Sequence, residues 1–242
     1  MNKIIYISLG QNCQGVSHYI KNNFMKSKAD GRKTCVFDLM LTSYYGLYNL
    51  IENDFENFMD IELIDNKYDI KYQNPSNVLL YSTVASKPYD NGIVCNKKYA
   101  LIFNHESFGH PILFKSENWE SKDYFIKNNF EEFKKRYNSR IINFKNYIEE
   151  AILNNYTIFF LLNTYFTPIK LKNIIIKKFP SLKFKIVCNK IDDIVKQTMT
   201  NFEKDICNID SIDEILYDSL YHDDYIIMDG WDLLDKLELT LL

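Results

Sequence analysis

Short apolar runs alternate with amphipathic segments in the last third of the chain, and this alternation limits the possible folds more than any other feature. The apolar runs, which are typical of buried strands, are residues 156–162, 184–188 and 225–228. The segments with apolar side chains at helical spacing are residues 168–179, 192–202 and 231–239. Strands that alternate with helices pair in parallel, with helices on both faces of the sheet. We therefore predict an α/β fold, with three layers around a mostly parallel central sheet, and one domain over residues 1–242.

The middle of the chain predicts different structure. Residues 61–104 are rich in short strand-like runs, and residues 121–153 carry apolar side chains at helical spacing over a long stretch. The second segment could form one long helix or two helices that meet near Asn128 and Asn129.

The chain also begins with a strand-like segment that is followed by a helix-like segment. Residues 4–7 are apolar and mostly β-branched, and Gly10 permits a sharp turn. From Val16 to Phe24 the spacing becomes helical. Cys13 therefore lies at an elbow between a strand and a helix, near the unpaired backbone N–H groups of the helix start.

The position of Cys13 suits a nucleophile, because helix N-termini stabilise anions and a thiolate is an anion. The amides of Gln11 and Asn12, together with the backbone N–H of Cys13, could bind an oxyanion. Two simpler roles stay open. Asn12 could be the N-cap of the helix, and Cys13 could be a buried structural thiol.

A cysteine nucleophile needs a base, and imidazole is the usual one. The chain has four histidines, of which His18 and His222 are typical of exposed positions. His105 follows the apolar run 100–103, at a strand end where α/β folds form ligand sites. We predict His105 as the base; His110, in the same loop, is the other candidate.

Asp38 is the candidate for the group that orients the imidazole. It is flanked by Val36 and Phe37 on one side and by Leu39 and Met40 on the other. Burial of a carboxylate is unfavourable unless the group is paired. A cap on the following turn is the alternative role.

Arg136 and Arg140 are four residues apart on the predicted long helix and therefore share a face. Two guanidinium groups on one face could bind a carboxylate or phosphate of a substrate. Surface pairing with nearby acids is the simpler alternative; those acids are Glu131, Glu132 and Glu149. No cluster has the spacing of metal ligands and no glycine-rich nucleotide motif occurs, so we predict no metal and no cofactor.

Composition excludes several classes of protein. The formal net charge is −3, whereas proteins that bind nucleic acid usually show a clear basic excess. No apolar run is long enough for a transmembrane helix, and the first residues lack the features of a signal peptide. Five cysteines without a CxxC pair argue against a disulfide framework or a zinc site. We predict a cytoplasmic protein with free thiols, without a membrane or nucleic-acid partner.

Four short motifs together resemble a family, DUF1796, whose members are described as papain-like cysteine peptidases of bacteria and large viruses. The run from Ser8 to Cys13 is similar to its SLGxxC motif. Phe37-Asp38 matches the core of a Pro-Phe-Asp-Trp motif, without the flanking Pro and Trp. His105-Glu106 stands where the family has His-Asp, and residues 136–141 match an Arg-Tyr-x-x-Arg-Ile helix. The order and spacing agree over residues 4–165.

The resemblance implies a Cys13–His105 pair with Asp38 nearby. Papain-type folds place the cysteine on a central helix against an antiparallel sheet, whereas this chain has the pattern of an alternating α/β protein. A nucleophile at a strand–turn–helix elbow also occurs in esterases and acyltransferases.

We therefore expect a thiol-dependent hydrolase that attacks an amide or ester carbonyl of a small-molecule or peptide substrate. A non-catalytic α/β module that binds an anionic ligand, such as a phosphate or sugar-phosphate, is the alternative. A structural or interaction protein with an inert Cys13 is the third possibility.

Overall fold

The computed structural model describes residues 3–10, 16, 19–21, 25–42, 44–64, 93–103, 105–107, 119–164, 168–190, 221–222 and 225–228. In chain order, the strands of these residues are β1 (Ile4–Ser8), β2 (Leu41–Thr42), β3 (Glu62–Ile64), β4 (Ile93–Asn96), β5 (Leu101–Ile102), β6 (Thr157–Thr164), β7 (Lys183–Lys190), β8 (Tyr221–His222) and β9 (Tyr225–Met228). The helices are α1 (Tyr44–Glu52), α2 (Lys127–Asn154) and α3 (Ile169–Lys178).

The chain divides into two compact units. The first comprises Met1–Asp38, Arg140–Asp192 and Asp213–Leu242, and the second comprises Leu39–Ser139 and Asp193–Ile212. Each unit contains one of the two sheets. The prediction of one domain stays a prediction.

The sheet of the first unit is mostly parallel, with the strand order β1-β6-β7-β9-β8. The pairs β1–β6, β6–β7 and β7–β9 are parallel, and only β8 runs antiparallel to its neighbour β9. The parallel pairing predicted from the strand–helix alternation is therefore confirmed. α3 begins after Pro168 and lies between β6 and β7 in the chain, as the sequence predicts.

Apolar side chains on both sides of this sheet are buried, as expected for parallel strands. On one side a cluster contains Phe159, Leu161 and Val187 from the strands, together with Tyr19 and Met25. Residues of the opposite parity are also buried; they are Ile5, Ile7, Ile158, Phe160 and Ile186.

The sheet of the second unit is antiparallel, with the strand order β2-β5-β4-β3. Phe103, which follows β5, is fully buried. Its ring centroid lies 4.7 Å from that of Phe133, 5.0 Å from Tyr137 and 5.7 Å from Phe58. These rings pack at steep angles, a favourable geometry for aromatic pairs. The end of β5 is thus held against α2.

The long helical segment is interrupted where the sequence suggests. Asn128, Asn129 and Phe130 have φ angles of 53°, 53° and 61°, in the left-handed region. Asparagine tolerates this conformation better than most residues. Residues 122–126, before Lys127, form turns rather than the first part of a continuous helix.

The predicted helices at 192–202 and 231–239 lie outside the described residues. Within the part of the chain that is described, no helix combines the length and apolar character needed to cross a membrane.

Candidate functional site

The elbow begins where β1 ends. The backbone N–H of Leu9 donates to the carbonyl of Leu161 at 2.9 Å, so pairing with β6 continues one residue past β1. Gly10 is buried and has a φ of 91°, which a residue with a side chain rarely adopts. Val16 and residues 19–21 are helical. Gln11, Asn12 and Cys13 themselves lie outside the described residues.

His105 lies in a tight turn after β5. The N–H of Glu106 donates to the carbonyl of Phe103 at 3.1 Å, and the Ser107 hydroxyl donates to the same oxygen at 2.7 Å. Ser107 Oγ also accepts a hydrogen bond from the N–H of Val94 on β4 at 2.9 Å. His105 is only 8% exposed. His110 lies outside the described residues.

Glu106, the acid of this turn, has a fully buried side chain. Tyr137 donates its hydroxyl proton to Glu106 Oε2 at 2.9 Å, and Arg136 Nε lies 3.2 Å from Oε1. The Arg136 guanidinium also lies over two rings, 4.9 Å from the centroid of Phe125 and 5.9 Å from that of Trp119. Both oxygens of a buried carboxylate therefore have a partner on α2.

Asp38 is fully buried and paired. Its Oδ2 accepts from Arg32 Nη2 at 2.6 Å and from the backbone N–H of Cys35 at 2.8 Å. Its Oδ1 has no hydrogen-bond partner among the described residues. Burial raises the pKa of the Asp38 carboxyl, against the opposing effects of the Arg32 charge, the Cys35 N–H and the Arg140 charge.

Asp38 makes its backbone hydrogen bonds within the turn that contains it, rather than as a cap on the following turn. The N–H of Asp38 donates to the carbonyl of Cys35 at 3.3 Å, which closes a turn over residues 35–38. The carboxylate bonds the N–H at the start of that same turn. Asp38 therefore stabilises the turn that contains it.

The two arginines singled out in the sequence have different acidic neighbours. Arg136 pairs with Glu106, whereas the charge of the buried Arg140 acts on Asp38. The nearby acids Glu131 and Glu132 instead pair with Lys135, each at 2.8 Å.

The predicted site residues belong to both compact units. Asp38 and Arg140 are in the first unit, and His105 and Arg136 are in the second. Sequence reasoning missed Glu106 and Arg32 as members of these clusters. For Glu106 a signal exists, since it lies just after the apolar run 100–103, at the same strand end that singled out His105.

Three cysteines of the described residues have free, buried thiols: Cys35, Cys95 and Cys188. Burial raises the pKa of all three, that of Cys95 to about 12. Thiols of this kind stay protonated at neutral pH and react slowly. Within the described ranges, no three His, Cys, Asp or Glu side chains group so that they could hold a metal ion.

Comparison with known proteins gives no match: no family model, no curated protein and no solved structure matches this chain.

Proposed function

We propose that this protein is a thiol-dependent hydrolase and that Cys13 is its nucleophile. The observation that carries the proposal is the geometry at the end of β1. A parallel strand leads to a glycine with positive φ, and the chain is helical at Val16. The elbow follows the carboxyl end of a parallel strand, where α/β proteins form ligand sites. Cys13 is between these two points in the sequence.

In the proposed reaction, the Cys13 thiolate attacks the carbonyl carbon of an amide or ester. The oxyanion of the tetrahedral intermediate accepts hydrogen bonds from backbone N–H groups at the elbow and from Gln11 or Asn12. His105 takes the thiol proton and gives it to the leaving amine or alcohol. Water then hydrolyses the thioester and regenerates the thiol. The assignment of Asp38 as the group that orients the imidazole rests on the sequence alone.

Several features of the sequence and structure support the wider proposal. The order of the four motifs supports membership of the DUF1796 family and a small-molecule or peptide substrate. The three free thiols of the described residues support a reducing compartment such as the cytoplasm. Burial on both sides of the parallel sheet supports a three-layer arrangement.

The alternative function, anion binding by Arg136 and Arg140, has less support. Arg136 already pairs with Glu106, and the Arg140 charge already acts on Asp38. A phosphate would compete with these carboxylates.

The test is the rate of alkylation of each cysteine by iodoacetamide between pH 5 and pH 9, followed by peptide mapping. An ordinary thiol is only a few per cent thiolate at neutral pH, whereas an activated one is mostly thiolate below pH 7. We expect Cys13 to react at pH 6 at least about tenfold faster than glutathione. Cys95 and Cys188 serve as internal controls, because their buried thiols should not react in the folded protein.

Three variants complete the design. Cys13→Ser should abolish the fast reaction, and Cys207→Ser should leave it unchanged. His105→Gln should move the midpoint of the Cys13 profile towards the value of an ordinary thiol. If Cys13 reacts no faster than glutathione below pH 7, the proposed function is wrong.

A further inference from the structure

We infer that Glu106, held by Arg136 and Tyr137, is a positioning residue for the His105 imidazole. The inference rests on the proposed function only in giving His105 a catalytic role. The structural part, the anchoring of the turn that carries His105, stands on the described contacts of the second unit.

Polar contacts hold the turn that carries His105 both to the sheet and to α2. On the side of the sheet, Ser107 joins the carbonyl of Phe103 to the N–H of Val94. On the side of the helix, the carboxylate of Glu106 binds α2 through Tyr137 and Arg136. His105 directly precedes Glu106, so its backbone position depends on both anchors.

On the helix side, the groups that hold the carboxylate are themselves packed against aromatic rings. The Tyr137 ring stacks on Phe133 at a centroid distance of 4.5 Å and contacts Phe103. Arg136 lies over the rings of Phe125 and Trp119. The carboxylate is therefore held by donors whose own positions are set by aromatic packing.

A buried ion pair is weak evidence for a contribution to stability alone, because desolvation offsets much of the attraction. It does fix geometry, since a buried carboxylate has few positions in which both oxygens are bonded. A general base must lie within hydrogen-bond reach of the proton that it takes. A displacement of 1 Å can lower a rate about a hundredfold. Precise placement is thus the property that this arrangement provides.

The most direct variant is Tyr137→Phe, which removes one hydrogen bond to Glu106 and keeps the aromatic ring. Tyr124→Phe is the matched control, because it removes a hydrogen bond of the same type, 3.2 Å long, to the carboxylate of Glu132. Glu106→Gln is a second variant, which keeps an oxygen acceptor but removes the negative charge beside Arg136.

Two measurements separate positioning from a structural role. The first is the NMR titration of the His105 imidazole, assigned through His105→Gln. The second is the pH profile of Cys13 alkylation. We expect Tyr137→Phe and Glu106→Gln to move the His105 titration midpoint and to lower the Cys13 rate at pH 6 about tenfold. Tyr124→Phe should change neither.

The outcomes are distinguishable. If the melting temperature falls but the His105 titration and the Cys13 rate do not change, Glu106 has only a structural role and the inference is wrong. If the His105 titration moves while even His105→Gln leaves Cys13 alkylation unchanged, Glu106 positions His105 but the proposed function fails. If Glu106→Gln does not fold, Tyr137→Phe decides alone.

Discussion

Arg32→Met should destabilise the protein strongly, because it removes the charge that pairs with a buried carboxylate. Arg32 Nη2 lies 2.6 Å from Asp38 Oδ2, with side chains only 8% and 1% exposed. At an effective dielectric constant near 20, opposite charges about 4 Å apart attract by about 4 kcal/mol. Removal of one partner of a buried pair typically lowers stability by about 3–5 kcal/mol. We expect a loss of about 3–4 kcal/mol at pH 7.5, measured by urea unfolding.

The matched control is Lys97→Met. Lys97 Nζ lies 2.9 Å from Glu62 Oε2, at a comparable distance, but the two side chains are 45% and 47% exposed. Exposed ion pairs contribute about 0–1 kcal/mol. The same chemical change should therefore have a much smaller effect at this surface pair.

The loss in Arg32→Met should depend on pH. Burial already raises the pKa of Asp38 in spite of Arg32, and removal of the arginine charge raises it further. When the pKa of a carboxyl is higher in the folded state than in the unfolded state, the group stabilises the fold below its unfolded pKa, about 4. This stabilisation is lost as the pH rises through the pKa of the folded state. The destabilisation should therefore shrink between pH 7.5 and pH 4.5. A loss that is independent of pH, or equal to that of Lys97→Met, would refute this account of Asp38.

Three further predictions concern packing, backbone strain and thiol burial. Phe103→Leu should lower stability by about 2 kcal/mol in urea unfolding, because it removes three aromatic contacts of about 0.5–1.5 kcal/mol each; a loss below about 0.5 kcal/mol would contradict the packing described. Gly10→Ala should lower stability by at least as much as Gly31→Ala, about 1–2 kcal/mol, since both glycines have positive φ. Gly10 is also buried, whereas a Cβ at Gly31 would meet nothing within 4 Å. A smaller loss at Gly10 than at Gly31 would argue against the turn. Cys95 and Cys188 should resist iodoacetamide at pH 8 until urea unfolds the protein, and labelling in the folded state would show that they are accessible.

The sequence predicts the first sheet well because its strands are short apolar runs that need no distant information. Residues 156–162 and 184–188 are apolar apart from Thr157 and Lys185, as in a strand largely buried on both sides. Once strands and helices alternate, parallel pairing follows from the length of the connections. β6 and β7 do pair in parallel over their full length.

The partners of the buried charges could not be predicted in the same way. Burial of Asp38 implies a partner, but the turn over residues 35–38 decides which cation reaches it. That cation is Arg32, six residues earlier. Similarly, the spacing on α2 suggests local acids for Arg136, yet its partner Glu106 precedes it by thirty residues. Both contacts depend on how turns, strands and helices pack against one another, which a local sequence pattern does not specify.

The spacing of Arg136 and Arg140 shows how one pattern can have two physical meanings. Two arginines one helical turn apart can bind an anion together, or each can pair with an acid of the protein. Here the side chain of Arg136 is 17% exposed and its Nε lies 3.2 Å from a buried carboxylate oxygen. A substrate carboxylate would compete with Glu106 for the same guanidinium, and loss of this cation would leave a buried carboxylate without its charge partner, which is strongly unfavourable. Arg136 is therefore better suited to hold Glu106, and through it the turn that carries His105, than to bind substrate.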